Sequence, residues 1–199
     1  MDHNATISYY ERAGRRYATL IGPEPDAFRA AALQRLAAPL APGEAVLEIG
    51  SGPGRDADYL ETLGVPVDRT DAAETFLQIQ AERGKRARRL DVVTGELGGH
   101  YGGVVGLCVL MHISRASIDR VLGKIAATLR PHGGFLVSVR AGEGETPPPA
   151  AMAFWTREDF EQRLRAAGFS VEWFELEIDC DDDAWLTFYA RTPATSSTA

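Results

Sequence analysis

Residues 46–60 read VLEIGSGPGRDADYL. A short apolar run passes through Glu48 and Ile49, glycines follow at Gly50, Gly52 and Gly54, and an amphipathic segment starts at Arg55. A buried strand that runs through a glycine turn straight into a helix is the opening of a β-α-β unit. It commits the chain to a parallel sheet with helical crossovers. The glycines also let the backbone come close to a bound ligand. Their spacing is G-x-G-x-G with Pro53 inside, so Arg55 stands where a dinucleotide turn of the G-x-G-x-x-G kind has its third glycine. No Gly-Lys-Ser/Thr follows, which excludes a Walker-type phosphate loop.

The rest of the chain extends this unit. Two helical segments precede it, ATISYYERAGRRYATLI, in which Ile7, Tyr10, Tyr17 and Leu20 recur at roughly helical spacing, and DAFRAAALQRLAAPL with Asp26 as N-cap. After it come a strand (VPVDRT), a helix closed by Gly84, a strand (ARRLDV), a strand (GGVVGLCVL), a helix (SIDRVLGKIAATL), a sharp turn (RPHGG) and a strand (FLVSV). The pattern changes at the Gly/Pro-rich AGEGETPPPAAM. A Thr-capped helix (TREDFEQRLRAAGF) then leads to two strands, SVEWFELEI and AWLTFYAR, whose acidic connection DCDDD predicts an antiparallel hairpin.

Composition narrows the function. Lys plus Arg number 21 and Asp plus Glu 28, a net charge of −7, which disfavours broad nucleic-acid binding. The run RGKRARR (Arg83 to Arg89) is the one basic cluster, and a solvated helix end suits it. Cys108 and Cys180 form no disulfide framework or zinc spacing. The first residues lack an apolar core of signal-peptide length and no run approaches a membrane span, so a cytoplasmic location is expected. The length suits one domain over residues 1–192, with residues 1–40 as a helical cap and 193–199 as a disordered tail.

Asp71 closes the second strand, 71 − 50 = 21 positions after Gly50, where a carboxylate can accept hydrogen bonds from both hydroxyls of a ribose. Asp91 ends the third strand, where it can accept from an exocyclic adenine amine. With these residues in place, the chain resembles the class I S-adenosylmethionine-dependent methyltransferases. VLEIGSGPG is similar to their first motif, VDRTDA to the acidic second, LDV (Leu90 to Val92) to the third, and YGGVVGLCVLMHI to the fourth-strand motif. LRPHGGFLVSV and WTREDFEQRLRAAGFSVEWFE continue the resemblance in order. Two positions depart from the family's pattern: Gly102 replaces an acidic residue before the fourth strand, and Leu107 replaces the Asn of amino methyltransferases acting on nucleic acids.

The resemblance implies a Rossmann-like α/β fold: a seven-stranded sheet with an antiparallel last strand, helices on both faces and an N-terminal helical lid. It implies S-adenosylmethionine as cofactor, S-adenosylhomocysteine as product and no metal. Cofactor contacts are expected from Tyr17, Glu48, Gly50, Ser51, Gly52, Gly54, Asp71, Ala72, Asp91, Val92, Leu107 and His112. Arg15 or Arg16 is expected to pair with the methionine carboxylate. His112 is the candidate catalytic residue, because an imidazole titrates near neutral pH and can take a proton from an acceptor; a structural or positioning role is the alternative. Phe154 and Trp155 are either a substrate wall or a staple at a helix start. The acceptor is expected to be a small molecule or short peptide, methylated at O or N, of the kind found in bacterial secondary metabolism. No nucleic-acid or membrane partner is expected, and the chain would act as a monomer or homodimer. The rivals are a cofactor-binding protein without catalysis and an NAD-dependent oxidoreductase.

Overall fold

The computed structural model describes residues 3–194. Two helices open the chain, α1 (His3–Ile21) and α2 (Ala27–Ala37). Asp26 caps α2 as its sequence predicts, Oδ1 accepting the Arg29 N–H at 2.8 Å. Then come β1 (Val46–Ile49), α3 (Arg55–Thr62), β2 (Val67–Asp71), α4 (Glu74–Glu82), β3 (Ala87–Arg89), β4 (Tyr101–Gly106), α5 (Ile118–Thr128) and β5 (Leu129–Ala141). The last elements are β6 (Phe154–Trp155), α6 (Arg157–Ala166), β7 (Ser170–Ile178) and β8 (Ala184–Arg191). Thr156 caps α6 by accepting the Asp159 N–H.

The strands form one sheet in the order β3-β2-β1-β4-β5-β8-β7, with β6 beside the end of β5. The seven expected strands are all present, and the two-residue β6 makes an eighth. β8 is antiparallel to both β5 and β7, while the other pairs are parallel. Successive strand residues point to opposite faces, which divides the core in two. Leu47, Ile49, Val104, Phe135 and Val137 pack with Ile118, Val121 and Leu122 of α5 and Phe160 of α6. Val46, Val105 and Leu136 pack with Leu33 and Leu36 of α2 and Leu60 of α3. The strand order reverses between β2 and β4, on either side of β1, so a crevice opens at the carboxyl end of β1.

Several local expectations are corrected. β4 stops at Gly106 instead of running to Leu110, because Cys108 takes a left-handed φ of 59° and its N–H donates to Ser138 Oγ rather than to a strand. Leu110–His112 then form a 3₁₀ turn. β3 ends at Arg89, so Asp91 lies beyond it and caps a loop, accepting from Val93 N at 2.9 Å and Thr94 Oγ1 at 2.8 Å. RPHGG is a bulge inside β5, not a turn: pairing jumps from Tyr101–Leu129 to Gly103–Gly134, and Thr192 Oγ1 bonds both Gly133 N and Arg130 O. Leu20 is 72% exposed, so it is not part of the inner face of α1. Gly102 has a packing reason, since a Cβ there would lie 2.8 Å from Leu40 Cδ2. Trp155 is wholly buried in β6 and packs on Phe160, which makes it core rather than a substrate wall. Of the expected tail, residues 195–199 lie outside the described residues, while Pro193 O still accepts the His132 N–H.

Candidate active site

The glycine turn lies at the carboxyl end of β1. Gly50 has φ 66°, and a Cβ on it would sit 2.3 Å from Val109 Cγ2, so only glycine lets the turn pass under the segment after β4. Gly52, at φ 55°, has nothing within 4 Å of where a Cβ would stand: its backbone faces open space. A Cβ on Gly54 would instead meet Arg69 Nη1 at 2.7 Å and Gln80 Oε1 at 2.9 Å, which makes Gly54 a packing glycine behind the turn. Gln80 holds the loop from below, its Nε2 donating to Ser51 Oγ and Gly52 O.

Asp71 tethers the turn from β2. Its Oδ2 accepts the Gly52 N–H and its Oδ1 the Ala73 N–H, each at 2.8 Å. Burial pushes its pKa up to about 6, against the lowering pull of those N–H groups. Glu48 lies beneath the turn, 3% exposed, and its Oε2 has no hydrogen-bond partner among the described residues. Burial first, and the charge of Asp56 second, raise its pKa well above the usual 4.5. A raised folded-state pKa contributes stability that is complete below the unfolded value and is lost as pH rises through the folded one. Thermal unfolding followed from pH 5 to pH 9 is therefore expected to show wild type losing stability on the alkaline side, with Glu48→Gln losing less. Parallel curves would mean that Glu48 is not protonated in the fold.

Above the turn lies a cavity. Of the residues expected to meet a cofactor, Tyr17, Gly50, Ser51, Gly52, Asp71, Ala72, Asp91, Val92, Leu107 and His112 line it; Glu48 and Gly54 do not. Phe76 and Leu90 add an apolar wall beside Asp91. The inner face of α1 closes the cavity with Thr6, Ile7, Tyr10, Tyr17 and Ile21. α1 is docked by Glu11, whose carboxylate accepts the Glu74 and Thr75 N–H groups at 2.8 and 3.0 Å, capping α4 from another helix. Arg15 and Arg16 are exposed on the outside of α1, and Arg15 pairs with Glu82 at 2.5 Å, so neither reaches the cavity. Asp68, the other acidic residue of β2, pairs with Arg88 and Tyr101 away from the cavity.

The cations that do line the cavity are Arg29 and Arg55. Arg29 Nε and Nη2 grip Asp56, with Nη2 to Oδ2 at 2.5 Å, and Nη1 donates to Cys108 Sγ at 3.4 Å. Burial opposes the charge of Arg29, but Asp56 outweighs it and its pKa stands above the usual value. A sequence signal for this pair existed: Arg29 sits in the first turn of α2, where a cation opposes the helix dipole and needs an anion elsewhere.

His112 is 8% exposed and held at both ring nitrogens. Nδ1 lies 2.9 Å from Ala151 O, in the Gly/Pro-rich loop, and Nε2 lies 3.1 Å from Tyr10 Oη. A carbonyl only accepts, so Nδ1 carries the proton. Burial lowers the pKa against the Ala151 bond, which keeps the ring neutral and leaves the Nε2 lone pair facing Tyr10. Burial first, then neighbouring Tyr17, raise the pKa of Tyr10, so its phenol stays protonated and donates.

A second cavity of about 200 Å³ adjoins the first across Tyr17, Arg29, Leu107 and Cys108. Asp26, Glu177 and Asp179 bring carboxylates to it. The acidic connection before β8 is a self-capped loop, Asp179 accepting from Asp181 N, Asp183 N and Trp185 Nε1. Among the described residues no group of His, Cys, Asp or Glu is arranged to hold a metal, and no helix is long and apolar enough to cross a membrane. Three of the five basic residues in the run Arg83 to Arg89 are paired: Arg83 bonds Asp58, Lys85 bonds Glu61 and Arg88 bonds Asp68.

A methyltransferase domain family matches residues 24–172 of the 199. The chain belongs to this family. No curated protein matches the methyltransferase by sequence. Its fold is similar to that of the Burkholderia thailandensis 1,6-didemethyltoxoflavin-N1-methyltransferase, solved with 1,6-didemethyltoxoflavin and S-adenosylhomocysteine. That match has a TM-score of 0.76 and 23% identity, and covers 96% of this chain and 88% of that one. The magnesium protoporphyrin IX methyltransferase of Synechocystis PCC 6803, solved with S-adenosylhomocysteine, gives a TM-score of 0.76 and 17% identity over 96% of this methyltransferase and 100% of that chain. The cyclase SpnF has the same fold, with a TM-score of 0.74 and 17% identity over 94% of this chain and 95% of that one.

Proposed function

We propose that the cavity above the glycine turn holds S-adenosylmethionine and that the protein transfers its methyl group to an oxygen or nitrogen of a small-molecule or short-peptide acceptor. One observation carries this reading. The open backbone of Gly52, the carboxylates of Asp71 and Asp91, and a neutral histidine base all line one cavity at the switch point of the sheet. The glycine turn is the cradle for the methionine part, since a side chain at Gly52 would stand in that space. Asp71 accepts the ribose hydroxyls, Asp91 and Val92 meet the adenine edge, and Phe76 and Leu90 cover its face. Arg29, Arg55 and Tyr17 surround the amino-acid end, the place first assigned to Arg15 or Arg16. When bound, the cofactor supplies a methyl group made electrophilic by its sulfonium.

The protein's own work is alignment, exclusion of water and removal of a proton. α1 covers the cavity. His112 offers Nε2 as the base, in the tautomer that Ala151 holds. His112→Ala is expected to lower turnover by about a hundredfold, measured with labelled methyl, while calorimetric affinity for S-adenosylhomocysteine stays within about twofold. Unaltered turnover would remove His112 from the chemistry. Calorimetry also tests the cofactor: S-adenosylhomocysteine should bind and NAD should not, and the reverse order would establish the oxidoreductase instead. Firm S-adenosylhomocysteine binding with no methyl transfer across a broad acceptor screen would favour a non-catalytic cofactor-binding protein.

A further inference from the structure

Thr6 is a polar residue that the cofactor assignment does not use. It is 5% exposed, lines the cavity, and its Oγ1 has no hydrogen-bond partner among the described residues. A buried hydroxyl without a partner costs free energy unless a ligand completes it. Thr6 lies four residues before Tyr10, so the two side chains share one face of α1 on consecutive turns. Tyr10 in turn reaches His112 Nε2 at 3.1 Å. Two hydroxyls and one imidazole lone pair therefore stand together, bordered by Ile7, Val109 and Ile113.

We infer that Thr6, Tyr10 and His112 form the polar subsite of the methyl acceptor, and that this subsite takes a neutral phenol-type hydroxyl or heteroaromatic N–H with a second oxygen or ring nitrogen beside it. The inference rests on the cofactor reading above. The acceptor's X–H donates to Nε2 of His112, in the place Tyr10 Oη holds here. The freed phenol and Thr6 Oγ1 donate to the neighbouring heteroatom. A neutral imidazole suits an acidic X–H of this kind, not an aliphatic alcohol, whose proton it holds too weakly. Charged acceptors find no counterpart in the subsite. Arg29, which holds Asp56, and Arg55, whose Nη1 donates to Ile21 O at 2.9 Å, stand at the amino-acid end of the cofactor and not in this subsite. An ammonium would be buried against a neutral ring and isoleucines, at a large desolvation cost. The carboxylates that would suit a cation, Asp26 and Glu177, belong to the adjoining cavity.

The test uses the full chain saturated with S-adenosylhomocysteine, titrated by calorimetry with catechol and salicylamide as neutral probes, phenethylamine as a cation and benzoate as an anion. The neutral probes should bind at least about tenfold more tightly than either ion. Thr6→Val and Tyr10→Phe should each weaken the neutral probes about tenfold while leaving S-adenosylhomocysteine affinity within about twofold, and Thr6→Ser should restore binding. Glu177→Gln should change none of these values. The inference is overturned if phenethylamine binds best, if Glu177→Gln weakens the probes, if no probe binds, or if the Thr6 and Tyr10 variants lower cofactor affinity instead. Failure of S-adenosylhomocysteine itself to bind wild type would sink the cofactor reading, a separate result.

Discussion

Arg29→Met is expected to destabilise the protein by about 3–5 kcal/mol, the cost of leaving one partner of a buried ion pair uncompensated. The side chains of Arg29 and Asp56 are 17% and 8% exposed, so little solvent is available to take over. Arg55 Nε, 3.6 Å from Asp56 Oδ1, offers only partial relief, and Cys108 Sγ loses its donor as well. Urea unfolding checks this through the midpoint at unchanged slope. The double variant Arg29→Met with Asp56→Leu should recover much of the loss, because the penalty belongs to the orphaned carboxylate and not to the missing contact. A single variant within about 1 kcal/mol of wild type would show that Asp56 is served by Arg55 or by solvent.

Asp71→Ala is expected to weaken S-adenosylhomocysteine binding at least about tenfold, by calorimetry. Two losses act together. The proposed ribose ligand disappears, and the Gly52 and Ala73 N–H groups lose the acceptor that shapes the glycine turn. Asp71→Asn separates them in part, since its single amide oxygen can satisfy one N–H but its NH₂ opposes the other. The same group sets a pH dependence. Its folded pKa of about 6 means that the carboxylate is ionised above that value and protonated below it. Cofactor affinity should therefore fall as pH drops through about 6, and a flat profile from pH 5 to pH 8 in wild type would refute the ribose role. In stability the sign is opposite: burial disfavours the charge, so the contribution of Asp71 is full below its unfolded value and is lost as pH rises past about 6.

Much of this architecture is local and can be read along the chain. The strand, glycine turn and helix at residues 46–60 need only a short apolar run and three glycines. Asp26 and Thr156 cap helices through bonds three residues long. Asp71 at the tip of β2 and Asp91 just beyond β3 reach one cavity because a parallel sheet brings the ends of its strands to one edge. His112 was legible for the same reason, following β4 toward that edge.

The rest depends on residues far apart in sequence whose meeting no period encodes. The β4 segment reads as one apolar run, yet it ends early because Ser138 offers Cys108 a hydrogen bond across 30 positions. Arg15 and Arg16 looked like cofactor partners, but the rotation of α1 is set by Glu11 at α4 and by Tyr10 at His112, and it turns both arginines outward. Arg29 lines the cavity instead, because α2 packs beside α3 and brings it to Asp56, 27 residues on. Thus the amino-acid sequence alone determined the alternation of strands and helices, the glycine turn and the positions of Asp71 and Asp91 along it, through short-range stereochemistry and hydrophobic periodicity. Only the tertiary structure decided which face of α1 closes the cavity, which arginine is buried there, and that Tyr10 meets His112. Those follow from the rotation and docking of helices, which are fixed by packing and long-range hydrogen bonds.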